Sequence, residues 1–360
     1  MKIGVFDSGI GGLTILEKIR EVLPNIDYIY YADSKNNPYG EKSEDDLMNI
    51  TRKIVDYLID EGCKIIVIAC NTATTVCIKK LREMYPEIVF IGTEPAIKVA
   101  RDNGYQNVLV LATNATIHSE SVHRLTLENK GKNENIYLEA CNGLANAIEV
   151  HNQEKIDEIL NNIGEKYKEK NIDAIVLGCT HYPYVAKDIK KRFKNCDLLD
   201  GSIGVSKEVK RQLLKIDEQV VHCKKEGALE FINSDDLEIA KKARLNAYVP
   251  YSNFQVGVAL RTKNGKVYTG CNIENHGIQS ICAERTAFVK AISEGEKEFE
   301  SITVVGSKIG MELNDECMPC GYCRQFMSEF VDSNFRIYTL DKDQLKTYKI
   351  NDILPYSFKM

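Results

Sequence analysis

The chain has 360 residues, 44% hydrophobic and 28% charged, with 23 glycines, 8 prolines and a formal net charge of −5. This profile excludes a disordered or collagen-like chain, and the length calls for two or three domains rather than one. No basic run stands out and the longest apolar stretch, Ile65–Cys70, is far short of the ~18 residues of a membrane span, so neither nucleic acid nor membrane is an expected partner.

The opening segment MKIGVFDSGIGG places an acidic residue and glycines where a signal peptide would stay apolar, so the expected compartment is the cytoplasm. In that reducing setting the 12 cysteines call for catalysis, metal binding or core filling, not a disulfide framework. In chain order, strands are predicted at 2–6 (KIGVF), 64–69 (KIIVIA), 89–92 (VFIG), 107–112 (NVLVLA) and 173–178 (DAIVLG), separated by amphipathic helical segments. This alternation predicts parallel sheet covered on both faces. A weak repeat runs through it: the strand ends at Asp7 and Cys70 recur, at nearly equal offsets, at Thr113 and Cys179, as two similar α/β lobes would require. Beyond an uneven, charged stretch (216–236), a helix with Ile239, Ala243 and Ala247 on one face leads into QVGVALRT and KVYTGCNI, two strand-like runs around Asn264–Gly265 that predict a hairpin. The boundary is placed near residue 236, giving domains 1–235 and 236–360. All of the net negative charge lies in the first.

Cys70 and Cys179 each end a buried-looking strand, and each precedes residues able to start a helix, Asn71–Thr72–Ala73–Thr74 and Thr180–His181. A thiol there faces unpaired N–H groups that favour thiolate. A lone cysteine in an apolar run is ordinarily core filling. A matched pair in two halves of a repeat points instead to two thiols reaching opposite faces of one small molecule. Asp7 and Ser8 also read as a helix-capping pair. Gly9, Gly11 and Gly12 suggest a dinucleotide loop, but Thr14 stands where the third glycine belongs.

DSGIGG (7–12), NPYGEKS (37–43), ACNTAT (69–74), EPAIK (94–98) and LGCTHYP (177–183) resemble glutamate racemase, in that order along nearly all of 1–235. The resemblance implies a cofactor-independent 1,1-proton transfer in which one cysteine thiolate removes the α-proton of glutamate and the other, as thiol, protonates the opposite face. One group alone would tend to return the proton to the face it left. It further implies that Asp7 assists Cys70 and His181 assists Cys179, tuning thiols of ordinary pKa ~8.5 toward working pH. Ser8, Tyr39, Gly40, Asn71, Thr72 and Thr180 would hold the substrate's carboxylates and ammonium, with Thr116 and Glu149 as further members. Asn36 and Asn37 depart from the more basic loop of that family.

Cys282 followed by Cys320-x-x-Cys323 offers zinc three soft ligands and leaves a fourth position open, the pattern of a catalytic centre. Glu284, two residues from a ligand, is placed to move protons rather than bind metal, as in zinc nucleobase deaminases. The rival is a closed four-cysteine structural site completed by Cys317. CAER (282–285), AYVPYSNFQVGVAL (247–260), GCNIEN (270–275) and PCGYCRQ (319–325) resemble cytidine deaminase of the all-cysteine zinc type, over about 238–350. The resemblance implies Zn²⁺ on Cys282, Cys320 and Cys323, Glu284 as acid/base, Asn272 and Glu274 on the ribose hydroxyls and Phe254 against the base. Three thiolates would leave the centre at formal −1, which Arg285 and Arg324 can offset by donating to sulfur. The link HGIQSI (276–281) is one residue shorter than that family's usual one and lacks its aromatic.

The expected fold is α/β: a pair of pseudo-symmetric lobes with mainly parallel sheets, then a smaller α/β/α zinc deaminase domain. The expected function is two enzymes in one chain, interconverting L- and D-glutamate for peptidoglycan and deaminating cytidine or deoxycytidine in pyrimidine salvage. Homo-oligomers follow from the resemblances, a racemase dimer and a deaminase tetramer. Rival readings are a chain with one active domain, the other a binding or oligomerisation module; a cysteine-based redox or zinc sensor; and, more mildly, aspartate as the racemised substrate. Cys63, Cys77, Cys141, Cys196, Cys223, Cys271 and Cys317, with His118, His123, His151 and His222, carry no pattern of their own.

Overall fold

Strands β1 (Lys2–Asp7), β2 (Asp27–Ala32), β3 (Cys63–Ile68) and β4 (Val89–Gly92) pair in parallel in the order β4-β3-β1-β2. Strands β5 (Asn107–Ala112), β6 (Asn135–Ala140), β7 (Ala174–Gly178) and β8 (Asp197–Leu199) repeat that pattern, parallel and in the order β8-β7-β5-β6. The two lobes expected from the sequence repeat are these two sheets. β9 (Leu229–Asn233) extends the first sheet beside β2. The computed structural model describes residues 1–129, 135–216, 227–277, 279–342 and 344–358, so Cys223, His222 and Ile278 lie outside the described residues.

Burial on both faces explains why the central strands read as unbroken apolar runs. Along β5, Leu109 and Leu111 pack with Leu144, Ile148, Ile156 and Leu160, while Val108, Val110 and Ala112 pack with Ala96, Ile97 and Val122 on the other side. The strands of these two sheets that the sequence did not predict have weaker signals. β2 is a tyrosine-rich DYIYYA, β6 is a half-exposed sheet edge, β8 has three residues, and β9 lies inside the charged stretch.

The chain divides into two units, Met1–Ile232 and Asn233–Met360. In the second, the helix Ser234–Arg244 is capped by Asn233, whose Oδ1 accepts from Asp235 N at 2.9 Å. Ala247, expected on its inner face, falls beyond its end because the helix stops at Arg244. Strands β10 (Phe254–Thr262), β11 (Val267–Cys271), β12 (Phe299–Lys308), β13 (Arg336–Asp341) and β14 (Gln344–Lys349) form a mixed sheet in the order β11-β10-β12-β13-β14. β10 and β11 are the antiparallel hairpin expected around Asn264–Gly265, with Gly265 at φ +88°. Helix Ser234–Arg244 covers one face through Ala240 on Ala259 and Val305. Helices Ala283–Ser293 and Gly321–Ser328 cover the other through Ala287, Phe288 and Met327 on Val258, Leu260 and Val304. Gly270 in β11 lets the first turn of Ala283–Ser293 lie directly on the strand, since a Cβ there would run into Ala283 O and Ala287 N. Among the described residues no helix is long and apolar enough to cross a membrane.

Candidate active sites

Parallel strands bring their C-terminal ends to one edge of a sheet, and the loops that leave that edge carry polar side chains. Asp7 ends β1, Cys70 follows β3 as N-cap of the helix Asn71–Met84, Thr113 follows β5 and Cys179 follows β7. Both thiols are buried, Cys70 at 5% and Cys179 at 7% exposure. His181 lies 3.8 Å from Cys179 Sγ through Nδ1 and 2.6 Å from Glu149 Oε2 through Nε2. The Glu149 carboxylate also accepts from Ile10 N at 3.3 Å and Ser34 Oγ at 3.4 Å, so it is anchored by both lobes. Asp7 Oδ2 accepts from Gly12 N at 2.8 Å and from Thr180 Oγ1 at 3.3 Å, joining the loop after β1 to the loop after β7.

The glycine cluster has a steric reason. A Cβ on Gly11 would stand 2.6 Å from His181 Nδ1 and 2.7 Å from Thr180 Oγ1. Glycine here admits the Thr180–His181 pair rather than a phosphate, which disposes of the dinucleotide loop.

The remaining polar candidates occupy the same edge. Thr72 Oγ1 and Thr113 Oγ1 are 3.0 Å apart, and Thr113 Oγ1 donates to Thr116 Oγ1 at 2.9 Å. Asn71 Nδ2 donates to Thr93 O at 3.1 Å, the Tyr39 hydroxyl donates to Asp33 Oδ2 at 2.7 Å, Ser8 is buried, and Gly40 lies against Thr113. Asp33 and Thr113 did not stand out in the sequence as site residues. Their only signal is that each follows a strand end, Asp33 after the unrecognised β2.

Electrostatics divides the two thiols. Burial pushes the Cys70 thiol well above its ordinary range, the negative Asp7 adds to the rise, and the Ala73 amide opposes it. The helix N-terminus led to the opposite expectation for this thiol. Desolvation outweighs the few amides, and the Asp7 contact adds to the rise. Burial likewise raises the Asp7 carboxyl, against the pull of His181 and the amides of Gly12 and Ser8. For His181, burial opposes the charged form, but its contacts with Cys179 and Glu149 and the charge of Asp7 carry its pKa well above the usual imidazole range. Cys179 therefore has the His181 ring beside it and Cys70 the Asp7 carboxyl.

In the second unit, Cys282 and Cys320 are the N-caps of Ala283–Ser293 and Gly321–Ser328, and Cys323 lies in the first turn of the latter. Their three sulfurs lie within 4.8 Å of one another, with Cys282 and Cys320 3.8 Å apart. Zn–S bonds of ~2.3 Å at tetrahedral angles separate two sulfurs by about 3.8 Å, so this all-thiol donor set fits zinc. Hydrogen bonding from Cys323 pulls the Cys282 thiol down to about 5 against its burial, with Arg285 and Cys320 adding to the fall. Cys317 is not in the three-sulfur group. Its sulfur lies against Gly306 and not with the other three, so the closed four-cysteine alternative is not formed.

Glu284 is 4% exposed, and burial pushes its carboxyl up to about 7. Arg285 Nη2 donates to Cys282 Sγ at 3.7 Å and Ser280 O at 3.1 Å. Arg324 does not serve the sulfurs as expected. Its Nε donates to Pro319 O at 2.7 Å and its Nη1 to Ile353 O at 2.9 Å, tying its helix to the end of the chain. Asn272 Oδ1 accepts from Val256 N at 2.7 Å and its Nδ2 donates to Phe254 O at 2.9 Å, so its amide braces the start of β10. Glu274 Oε2 accepts from Tyr251 N at 2.9 Å and Ser252 N at 3.1 Å, fixing the turn that precedes Phe254. Within the shortened link, His276 packs edge-on against Tyr251 at 5.1 Å between ring centroids.

Two lobes of parallel sheet with a buried thiol at a strand end of each, and a mixed-sheet unit with a three-sulfur centre, have counterparts among known proteins. Residues 3–203 match the Asp/Glu/Hydantoin racemase family, and the chain belongs to it. Residues 233–339 match the cytidine and deoxycytidylate deaminase zinc-binding region, so a second enzyme family is fused at the C-terminal side. A glutamate racemase of Clostridium perfringens is 42% identical over 252 residues, 67% of this chain and 95% of the relative. The crystal structure of glutamate racemase from Francisella tularensis in complex with D-glutamate is 32% identical, covers 65% of this chain and 88% of its own, and superposes with a TM-score of 0.56. A cytidine deaminase from Burkholderia pseudomallei is 40% identical, covering 34% of this chain and 97% of its own at a TM-score of 0.32.

Proposed function

We propose that the first unit interconverts L- and D-glutamate through Cys70 and Cys179, and that the second hydrolytically deaminates cytidine or deoxycytidine. The observation that carries the racemase reading is the pair of buried strand-end thiols, each with its own charged partner. Cys179 stands 3.8 Å from the His181 imidazole, the base-side partner that Glu149 holds in place. Cys70, raised by burial and by Asp7, holds its proton and is the acid when Cys179 is the base. In the reverse direction Cys70 is the base, starting as thiolate and accepting the α-proton, and the substrate's α-ammonium supplies the positive charge its surroundings lack. Glu149 works through His181, fixing the ring that faces Cys179. Asp7 orients Thr180 and Gly12 around the same space. Ser8, Tyr39, Gly40, Asn71, Thr72, Thr116 and Thr180 hold the substrate's carboxylates and ammonium, with Thr113 linking Thr72 to Thr116 and Asp33 fixing Tyr39.

In the second unit Cys282, Cys320 and Cys323 hold zinc, and Arg285 offsets the excess thiolate charge. Zinc at such a centre supplies activation of water. Glu284, buried two residues from Cys282, carries the proton from its carboxyl to the pyrimidine ring nitrogen. Phe254 lies against the base, with Asn272 and Glu274 shaping the ribose side. Both substrates are small molecules, D-glutamate would feed the cell wall, and the deaminase would serve pyrimidine salvage in the cytoplasm.

Purified full-length chain is expected to form D-glutamate from L-glutamate, followed by circular dichroism, and uridine from cytidine, followed by ultraviolet absorbance. A preparation that racemises neither glutamate nor aspartate, or one that retains zinc and leaves cytidine and deoxycytidine unchanged, would contradict the corresponding half of the reading.

A further inference from the structure

Arg285 carries the positive charge that contacts the sulfurs of Cys282 and Cys323, and its hydrogen bond to Cys282 is long. Arg285 reaches Cys282 Sγ only at 3.7 Å, shares the same nitrogen with Ser280 O, and leaves its Nε buried without a hydrogen-bond partner. A long flexible side chain with such contacts needs something else to confine it. The Tyr322 ring lies 4.5 Å from the Arg285 guanidinium carbon, within the range of a cation–π contact. Tyr322 sits between Cys320 and Cys323 on the helix Gly321–Ser328, so ring and sulfurs are carried by the same turn. At 65% exposure it contributes little to the core, and core packing does not explain it.

We propose that Tyr322 is a positioning residue of the metal centre: its ring covers one face of the Arg285 guanidinium and holds the N–H edge toward the cysteine sulfurs. The proposal rests on reading Cys282, Cys320 and Cys323 as zinc ligands. A planar guanidinium with one face covered keeps its N–H groups in a fixed plane, and that plane reaches Cys282. A cation beside a thiolate opposes the protonation by which a sulfur leaves its metal, so Arg285 held in place slows zinc loss.

The test is zinc release from zinc-loaded full-length chain to the colorimetric chelator 4-(2-pyridylazo)resorcinol, for wild type and for Tyr322→Phe, Tyr322→Leu, Arg285→Gln and the Tyr322→Leu/Arg285→Gln double variant. Tyr322→Phe keeps the ring and is expected to release zinc at the wild-type rate. Tyr322→Leu is expected to release it roughly two- to fivefold faster, and Arg285→Gln about tenfold faster or more. Adding Tyr322→Leu to Arg285→Gln is expected to change nothing further, because the ring acts through the guanidinium. Release from Tyr322→Leu at the wild-type rate, or the same acceleration with Arg285 already replaced, overturns the proposal while leaving the zinc site intact. A wild-type chain that retains no zinc overturns the zinc reading and the proposal with it.

Discussion

Cys70→Ser is expected to lower racemisation roughly 10²- to 10⁴-fold in both directions while leaving cytidine deamination unchanged. Serine nearly preserves the size of a side chain that is 5% exposed, so the lobe keeps its packing. What changes is the acid/base group. A hydroxyl ionises far less readily than a thiol of ordinary pKa ~8.5, and burial together with Asp7 raises any acid at this position further. Both directions are expected to suffer because the proposed role is acid in one and base in the other. D-glutamate formed from L-glutamate, and the reverse, give the readout. A variant within about tenfold of wild type in either direction would mean that Cys70 is not one of the two proton carriers.

Glu284→Gln is expected to lower deamination by a similar 10²- to 10⁴-fold, with zinc content kept and racemisation untouched. Glutamine matches the shape of the buried side chain and leaves all three sulfurs in place, but it cannot release or accept the proton that the raised carboxyl carries. Uridine formation and metal analysis on the same preparation separate the outcomes. Loss of activity accompanied by loss of zinc would make Glu284 a support of the metal centre rather than a carrier of protons.

Much of the architecture is legible in the sequence because the central strands are buried on both faces, and such strands leave apolar runs that periodicity can find. β1, which ends in Asp7, β3 and β7, which lead into the two thiols, and β5 belong to that class. Edge and aromatic strands do not, and missing β2 hid the loop that places Asp33 under Tyr39. The three-sulfur centre was legible for a different reason. Thiols at fixed spacing on a helix N-terminus point one way whatever the rest of the fold does. Relations across the chain were not legible. Nothing near Glu149 in sequence signals His181, 32 residues away, and nothing around Arg324 tells that its guanidinium turns to carbonyls while that of Arg285 turns to sulfur. The rise of the Cys70 thiol was hidden for a similar cause. A helix start is local and visible, whereas desolvation and the proximity of Asp7 come from the folded lobe.

One chain carries the two proposed chemistries, one dependent on metal and one on thiols alone. The most direct test is to strip zinc from purified full-length chain with a chelator, remove the chelator, and measure both reactions before and after Zn²⁺ is restored. Deamination is expected to disappear and return with the metal, while glutamate racemisation proceeds at one rate throughout. Racemisation that falls and recovers with zinc, or deamination that survives its removal, would contradict the assignment.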